Sequence, residues 1–124
     1  MTALGMVIVS HSKNIAQGVV DLLLEVSQDV AITYIGGSED GGIGTSFEQV
    51  QAKIDANPQD DLLAFYDLGS AGMNLEMAAD VTDKTLTVLK VPIVEGAYTA
   101  AALIQAGVAK EAILAQLKEL EIKK

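Results

Sequence analysis

The chain of 124 residues contains no cysteine and a single histidine. Without cysteine it can form no disulfide, no thiolate nucleophile and no cysteine-ligated metal site, and one histidine cannot build a multi-histidine metal centre. No segment approaches the ~18 uncharged apolar residues that a membrane-spanning helix needs, and the first residues lack the features of a secretory signal. We therefore expect a cytoplasmic protein that binds no metal and has no membrane partner.

Basic residues are also scarce, since eight Lys and Arg stand against 17 Asp and Glu, and the formal net charge is −9. This charge repels the phosphates of nucleic acids and of anionic lipids, so neither is an expected partner. Aromatic residues make up only 4% of the chain, whereas 50% is hydrophobic. The core must come from Ala, Val, Ile and Leu, a composition typical of helices packed on parallel strands.

Short apolar runs and helical patterns alternate along the chain. Strands are predicted over residues 4–9, 30–35, 62–66 and 86–91, because these runs lack the alternation of a half-exposed strand. The alternation predicts one doubly wound α/β domain covering residues 1–124. We expect a predominantly parallel four-stranded sheet in the common order 2-1-3-4, with helices on both faces.

The helices are predicted from apolar spacing and from capping residues. Ser12 can cap a first helix that begins near Lys13, and Thr45 with Glu48 three residues later has the capping-box pattern for a second. Further helices are expected at about 73–81, 96–106 and 110–120. The apolar face of the first helix is predicted to contain Ile15, Val19, Leu22, Leu23 and Val26.

His11 and Asp67 follow the first and third predicted strands. Those strands are neighbours in the expected order, so both side chains should emerge side by side at the edge where doubly wound sheets bind ligands. A carboxylate can accept a hydrogen bond from Nδ1, orient the imidazole and leave the Nε2 lone pair free. No serine or cysteine nucleophile lies in an elbow motif, so the imidazole itself would attack an electrophile.

A phosphoryl group is the expected electrophile for this histidine. The first N–H groups of the helix capped by Ser12 point towards His11, and a second positive helix end is expected at Thr45. Between them, residues 36–45 contain five glycines in ten positions, whose N–H groups can approach phosphate oxygens. No GxxxxGK[ST] sequence occurs, so the chain is not expected to bind and split a nucleotide by itself.

Purely structural roles stay open for the same residues. His11 can simply mark the entry to a helix, and Asp67 can form a turn before Gly69. The glycine-rich loop can be no more than a flexible connection, and the acidic excess a solvated surface.

Four motifs taken together resemble a known family. They are "VIVSHSKNIAQG" around His11, "GGSEDGGIGTSFEQV", "FYDLGSAGMNLEMA" and "VPIVEGAYTAAA", each following one of the predicted strands or spanning its end. In this order they are similar to the phosphocarrier subunits of phosphotransferase-system-dependent dihydroxyacetone kinases. That family is related to the IIA domains of mannose-type sugar transporters, and the resemblance covers nearly the whole chain.

The resemblance implies a role for each matching residue. His11 matches the phosphorylated histidine, and Asp67 matches the aspartate that orients its ring. The remaining matches, at loop positions near the phosphohistidine and in the turn beside it, are Gly36, Gly37, Thr45, Gly69 and Ser70.

The resemblance also implies the partners of the chain. The phosphoryl donor would be the phosphorylated general phosphocarrier protein HPr. The acceptor would be ADP, held permanently on a separate nucleotide-binding subunit that phosphorylates dihydroxyacetone bound to a third subunit. The chain itself would hold no permanent cofactor and would form a homodimer.

Three alternatives to the kinase subunit share some of these features. A sugar-transporter IIA domain typically has glycine after the histidine, whereas Ser12 and the turn "DLGSAGMN" favour the kinase family. A receiver-like signalling domain would be phosphorylated on Asp67, but it needs acidic Mg²⁺ ligands after the first strand, where this chain has "SHS". A flavodoxin-like binding module would use the glycine loop as an anion cradle and carry no covalent phosphate.

Overall fold

A four-stranded parallel sheet forms the centre of the computed structural model, which describes residues 4–124. The strands are β1 (Leu4–Ser10), β2 (Ala31–Gly36), β3 (Asp61–Tyr66) and β4 (Thr85–Leu89). Their order is β2-β1-β3-β4 and every pairing is parallel. The predicted α/β class and strand order are confirmed.

Helices cover both faces of this sheet, as predicted. They are α1 (Lys13–Leu24), α2 (Phe47–Ala56), α3 (Gly69–Val81), α4 (Ile93–Gln105) and α5 (Lys110–Lys118). The core clusters place α1, α4 and α5 on one face and α2 and α3 on the other. Within residues 4–124, no helix combines the length and apolar character needed to cross a membrane.

The central strand β1 is buried on both faces. Met6 and Ile8 pack with the helices of the first face, whereas Val7 and Val9 pack with those of the second. All four side chains are fully buried. Complete burial on both sides explains why the sequence of β1 is continuously apolar and shows no alternation.

The second helix begins one residue later than its capping-box pattern suggested, because the neighbouring hydroxyl of Ser46 performs the capping. Ser46 is the N-cap, and its Oγ accepts a hydrogen bond from the N–H of Gln49 at 3.4 Å. The prediction that Thr45 opens this helix was therefore wrong. Thr45 and Ser46 are adjacent hydroxyl residues, both of which can cap a helix, and serine is the slightly better cap of the two.

The third helix begins at Gly69, not near Met73 as predicted. Two glycines lower the intrinsic helix propensity of its first turns. Glycine at position 72 lets α3 pack closely on β3, since a Cβ there would lie only 2.7 Å from the ring of Tyr66. This close packing offsets the cost in helix propensity. The segment predicted as a loop is therefore largely helical, and the N-terminus of α3 lies directly after Asp67. The fourth helix likewise begins earlier than predicted, at Ile93 after Pro92.

The buried face of α1 is shifted from the predicted one. Ile15 and Leu22 are 48% and 47% exposed. Ala16 and Val20 are buried in their place, beside Val19 and Leu23 as predicted. A hydropathy pattern favours the larger Ile and Leu, whereas the close approach of α1 to the sheet selects the smaller side chains.

Candidate active site

His11 and Asp67 meet at the C-terminal edge of the sheet. β1 and β3 are paired through Val9 and Tyr66, so the chain emerges from both strands at neighbouring points. Nδ1 of His11 lies 2.9 Å from Oδ1 of Asp67, and only 15% and 12% of the two side chains are exposed. The predicted adjacency of these two residues is present in the structure.

The carboxylate of Asp67 accepts four hydrogen bonds. Oδ2 accepts from Oγ of Ser10 at 2.7 Å and from the N–H of His11 at 2.9 Å. Oδ1 accepts from the His11 ring and from the N–H of Leu68 at 2.7 Å. Burial raises the pKa of Asp67, but the hydrogen bonds from Ser10, His11 and Leu68 outweigh it, and the net pKa is lowered. Asp67 is therefore ionised at neutral pH.

The ionised carboxylate assigns the tautomer of His11. An acceptor at Nδ1 requires that this nitrogen carry the proton, so Nε2 of the neutral ring holds a lone pair. Nε2 lies 2.6 Å from Oγ of Ser70, at the exposed side of the ring. Ser70, predicted as a supporting residue, thus faces the nitrogen that would attack an electrophile.

Two helix N-termini flank the imidazole. Ser12 caps α1 as predicted, since its Oγ accepts from the N–H of Ile15 at 3.3 Å. Ser70 belongs to the first turn of α3, so the contact with Nε2 also brings the start of that helix to the ring. The first N–H groups of a helix have no acceptor within it, and they carry partial positive charge. Both ends can stabilise an anion bound at Nε2.

The glycine-rich loop is held by its own hydrogen bonds. The N–H groups of Gly37 and Gly44 donate to the carbonyl oxygens of Ser10 and His11, at 3.1 and 2.9 Å. The N–H groups of Gly41 and Gly42 donate within the loop. These amides are therefore engaged, and the loop packs on the backbone of His11 without the free cradle of N–H groups that we expected.

Gly36 and Thr45, both predicted as supporting residues, contact the elements around the histidine. A Cβ at Gly36 would press against the carbonyl oxygen of Ser12 and lie 2.7 Å from Cα of Lys13, so glycine lets β2 approach the start of α1. Oγ1 of Thr45 accepts a hydrogen bond from Nδ2 of Asn74 at 3.2 Å, which joins the loop to α3.

Ser10 and Lys124 belong to the site and were missed by the sequence analysis. Ser10 is 1% exposed and also accepts, through Oγ, the N–H of Ser12 at 3.0 Å. The only indication of Ser10 in the sequence is that a polar residue stands at the end of an apolar strand. Nζ of Lys124 donates to the carbonyl oxygen of Tyr66, next to Asp67, at 2.6 Å. Nothing in the sequence relates Lys124 to a strand end so distant along the chain.

The arrangement provides an oriented imidazole nucleophile beside two positive helix ends. Such a group can accept and release a phosphoryl group with little other covalent chemistry from the protein. Among residues 4–124, no group of three or more His, Asp or Glu side chains could hold a metal ion.

Comparison with known proteins identifies relatives of the whole chain. A family model described as "PTS system fructose IIA component" (EIIA-man) matches residues 5–114. The phosphotransferase subunit DhaM of a PTS-dependent dihydroxyacetone kinase from Lactococcus lactis subsp. lactis (strain IL1403) is 52% identical over 120 residues, covering 97% of this chain and 98% of that protein. The phosphoryl donor subunit DhaM of PEP-dependent dihydroxyacetone kinase 1 from Listeria innocua serovar 6a (strain ATCC BAA-680 / CLIP 11262) is 50% identical, covering 96% of each chain.

A solved structure is also similar in fold. The crystal structure of EF1359, described as a protein of unknown function, superposes with a TM-score of 0.84 at 28% identity. The match covers 97% of this chain and 96% of that one, so the agreement extends over the complete sheet and its helices.

Proposed function

Because the chain belongs to the PTS system fructose IIA component family, we propose that it relays a phosphoryl group within a PTS-dependent dihydroxyacetone kinase. His11 is the carrier, and it accepts the group on Nε2 from phosphorylated HPr. The observation that carries the proposal is the pair of contacts on its ring, with Asp67 on Nδ1 and Ser70 on Nε2. The kinase is preferred to a sugar transporter because the relatives at 52% and 50% identity are dihydroxyacetone kinase subunits.

Phosphoryl uptake begins with attack by the Nε2 lone pair of His11. A new N–P bond forms as the bond between phosphorus and the donor breaks, and the donor keeps that electron pair. The ring becomes positively charged while Nδ1 keeps its proton. The carboxylate of Asp67, 2.9 Å from Nδ1, stabilises this charge and holds the ring in line with the phosphorus.

Ser70 changes its hydrogen-bond partner during this step. In the unphosphorylated protein its hydroxyl donates to Nε2, the atom that must form the new bond. As phosphorus approaches, the hydroxyl turns to donate to a phosphoryl oxygen. The first N–H groups of α1 and α3 balance the remaining negative charge, so the site needs no cationic side chain in contact with the phosphoryl group.

The second transfer reverses the first with a different partner. A phosphoryl oxygen of ADP on the nucleotide-binding subunit attacks the phosphorus, and the bond to Nε2 of His11 breaks. The electron pair returns to Nε2, and the neutral ring is restored. ADP belongs to that subunit, and this chain holds no permanent cofactor.

Asp67 is not the phosphorylated residue in this proposal. Both of its oxygens already accept hydrogen bonds, and its side chain is 12% exposed. His11, in contrast, presents Nε2 at the exposed side of the site. A receiver-like use of Asp67 is therefore not favoured.

The test is uptake of radiolabelled phosphate from phosphorylated HPr. We expect the unsubstituted chain to take up label that is acid-labile and alkali-stable, as a phosphohistidine is, and His11→Ala to take up none. Circular dichroism and urea unfolding check that the variant is folded, and Asp55→Ala, at an exposed position of α2, is a matched control. Label on folded His11→Ala, or label removed by hydroxylamine, would contradict the role of His11.

The recipient is tested by adding acceptors to the labelled chain. Transfer to ADP on the nucleotide-binding kinase subunit is expected, with no comparable transfer to a IIB domain of a mannose-type transporter. Faster transfer to the IIB domain would favour the transporter alternative. The homodimer implied by the resemblance stays a prediction, and sedimentation velocity measures it.

A further inference from the structure

The ammonium group of Lys124 binds two strand ends beside the site. Nζ donates to the carbonyl oxygens of Tyr66 at 2.6 Å and of Val91 at 2.8 Å. Tyr66 is the last residue of β3 and directly precedes Asp67, while Val91 follows β4. Lys124 therefore joins the two strands at the peptide from which Asp67 projects.

The position of this lysine is fixed by further contacts. Nζ lies 4.0 Å from the ring centroid of Tyr66, in a cation–π arrangement. The segment after α5 is tied to the same sheet edge, since the N–H of Ile122 donates to the carbonyl oxygen of Lys90 at 2.9 Å. Ordering a lysine side chain costs conformational entropy, so these contacts must offset that cost.

The charge of Lys124 interacts with that of Asp67. Burial lowers the pKa of Lys124, and the negative charge of Asp67 opposes this in part. The other charged groups around the ammonium are Glu76 on α3 and Lys90 after β4, which line with it a cavity of about 350 Å³. Lys124 thus holds a positive charge at the peptide that immediately precedes Asp67, the residue that orients His11.

We propose that Lys124 is a positioning residue for phosphoryl transfer, whose positive charge is held at the β3 end to support Asp67 and, through it, His11. The inference rests on the proposed function. A phosphoryl group brings negative charge to a ring that already contacts a carboxylate, and a cation bound to the neighbouring peptide reduces the repulsion. Lys124 acts through Asp67 and does not contact the phosphoryl group.

Substitutions at position 124 separate charge from hydrogen bonding. Lys124→Arg retains the charge and the donors, Lys124→Gln retains N–H donors without the charge, and Lys124→Met removes both. Lys123→Met is the matched control, because Lys123 is an exposed lysine in the same segment.

The measurement is single-turnover phosphoryl uptake at increasing concentrations of phosphorylated HPr. We expect Lys124→Met and Lys124→Gln to lower the maximal rate about tenfold, with the half-saturating HPr concentration unchanged. Lys124→Arg and Lys123→Met should stay within about twofold of the unsubstituted protein. A purely structural role would lower the fraction of active protein and leave the rate of the active molecules unchanged. The NMR signal of the His11 Nδ1–H proton should shift in Lys124→Gln and not in Lys123→Met.

The outcomes distinguish the role of the Lys124 charge from the proposed function of the chain. Equal maximal rates for Lys124→Gln and Lys124→Arg would overturn the role of the charge, and this comparison stands even where Lys124→Met does not fold. Uptake by the unsubstituted chain together with unchanged variants would overturn this inference alone. Absence of uptake by the unsubstituted chain would overturn the proposed function instead.

Discussion

Asp67 is surrounded by four donors, and this geometry makes a carboxylate difficult to replace. Two donors meet each of its oxygens. An asparagine has one acceptor oxygen, so its amide group would face two N–H or O–H donors. Unsatisfied buried polar groups are costly, and the His11 ring would lose both its orientation and its negative partner.

We therefore expect Asp67→Asn to slow phosphoryl uptake by between about 10² and 10⁴-fold while His11 remains the phosphorylated residue. Quench-flow with phosphorylated HPr measures the rate. Ser10→Ala is the informative comparison, because it removes one donor to Asp67 and leaves the carboxylate, and it should slow uptake less. A rate for Asp67→Asn within a few-fold of the unsubstituted rate would contradict the orienting role.

Ser70→Ala has two opposing effects on the same atom. It frees the Nε2 lone pair in the resting state, but it removes a donor to the phosphoryl oxygens in the transition state. Hydrogen bonds to charged groups contribute about 1.5–3 kcal/mol against about 1 kcal/mol for neutral pairs, so the loss dominates. We expect uptake to slow by about five- to tenfold. Faster uptake by Ser70→Ala than by the unsubstituted protein would show that the resting hydrogen bond is the larger effect.

His11 and Asp67 could be predicted from sequence because both directly follow strands, and parallel strands place their ends at one edge. The contact of Ser70 with Nε2 depends on where α3 begins. That start could not be predicted, because the glycines in the first turn have low helix propensity. Lys124 could not be found in this way. Its partner Tyr66 is 58 positions away in sequence, and the contact exists only because the segment after α5 returns to the sheet.

At the scale of elements, the close approach of β2 to the start of α1 fixes the position of the α1 N-terminus beside His11. Gly36→Ala would press a methyl group against the carbonyl oxygen of Ser12 and within 2.8 Å of the Cβ of Ala16. We expect a loss of about 1–3 kcal/mol in the free energy of unfolding, measured by urea denaturation. Phosphoryl uptake should also slow, because the N-terminus of α1 must move away from β2.

Gly18→Ala is the matched control in the same helix. A Cβ at Gly18 would meet no atom within 4 Å, and alanine has the higher helix propensity. This variant should gain about 0.5–1 kcal/mol in stability with unchanged uptake. Equal stability of Gly36→Ala and the unsubstituted protein would show that the two elements can separate without cost.

The order of elements was predictable, whereas their starts were less so. Four apolar runs and the right-handed connection rule leave few topologies, and the sheet has the expected order. Helix starts depend on tertiary contacts that propensity does not contain. Ser46 caps α2 in preference to Thr45, and packing of Gly72 on Tyr66 extends α3 towards Asp67.

At the scale of the whole molecule, the acidic net charge and the ionised Asp67 have opposite effects on the stability of the fold as the pH falls. The net charge of −9 at pH 7 produces self-repulsion, which weakens as the pH approaches the sequence pI of about 4.3. The lowered pKa of Asp67 has the reverse effect. A carboxyl group with a folded-state pKa below its unfolded value stabilises the fold above the unfolded pKa, and that contribution is lost as the pH falls through the folded pKa.

The stability difference between the unsubstituted protein and Asp67→Asn should therefore depend on pH. From pH 7 down to about 4, Asp67 is ionised in the folded state and its four hydrogen bonds are intact, so the difference should stay constant. Below about pH 4 the carboxyl group of Asp67 binds a proton in the unfolded chain at a higher pH than in the folded protein, where its pKa is lowered. This favours the unfolded state of the unsubstituted protein, so the difference should narrow. Urea unfolding of both proteins at pH 7, 5 and 3 measures it. A difference that is as large at pH 3 as at pH 7 would mean that Asp67 stabilises the fold through packing alone, because packing does not respond to protonation.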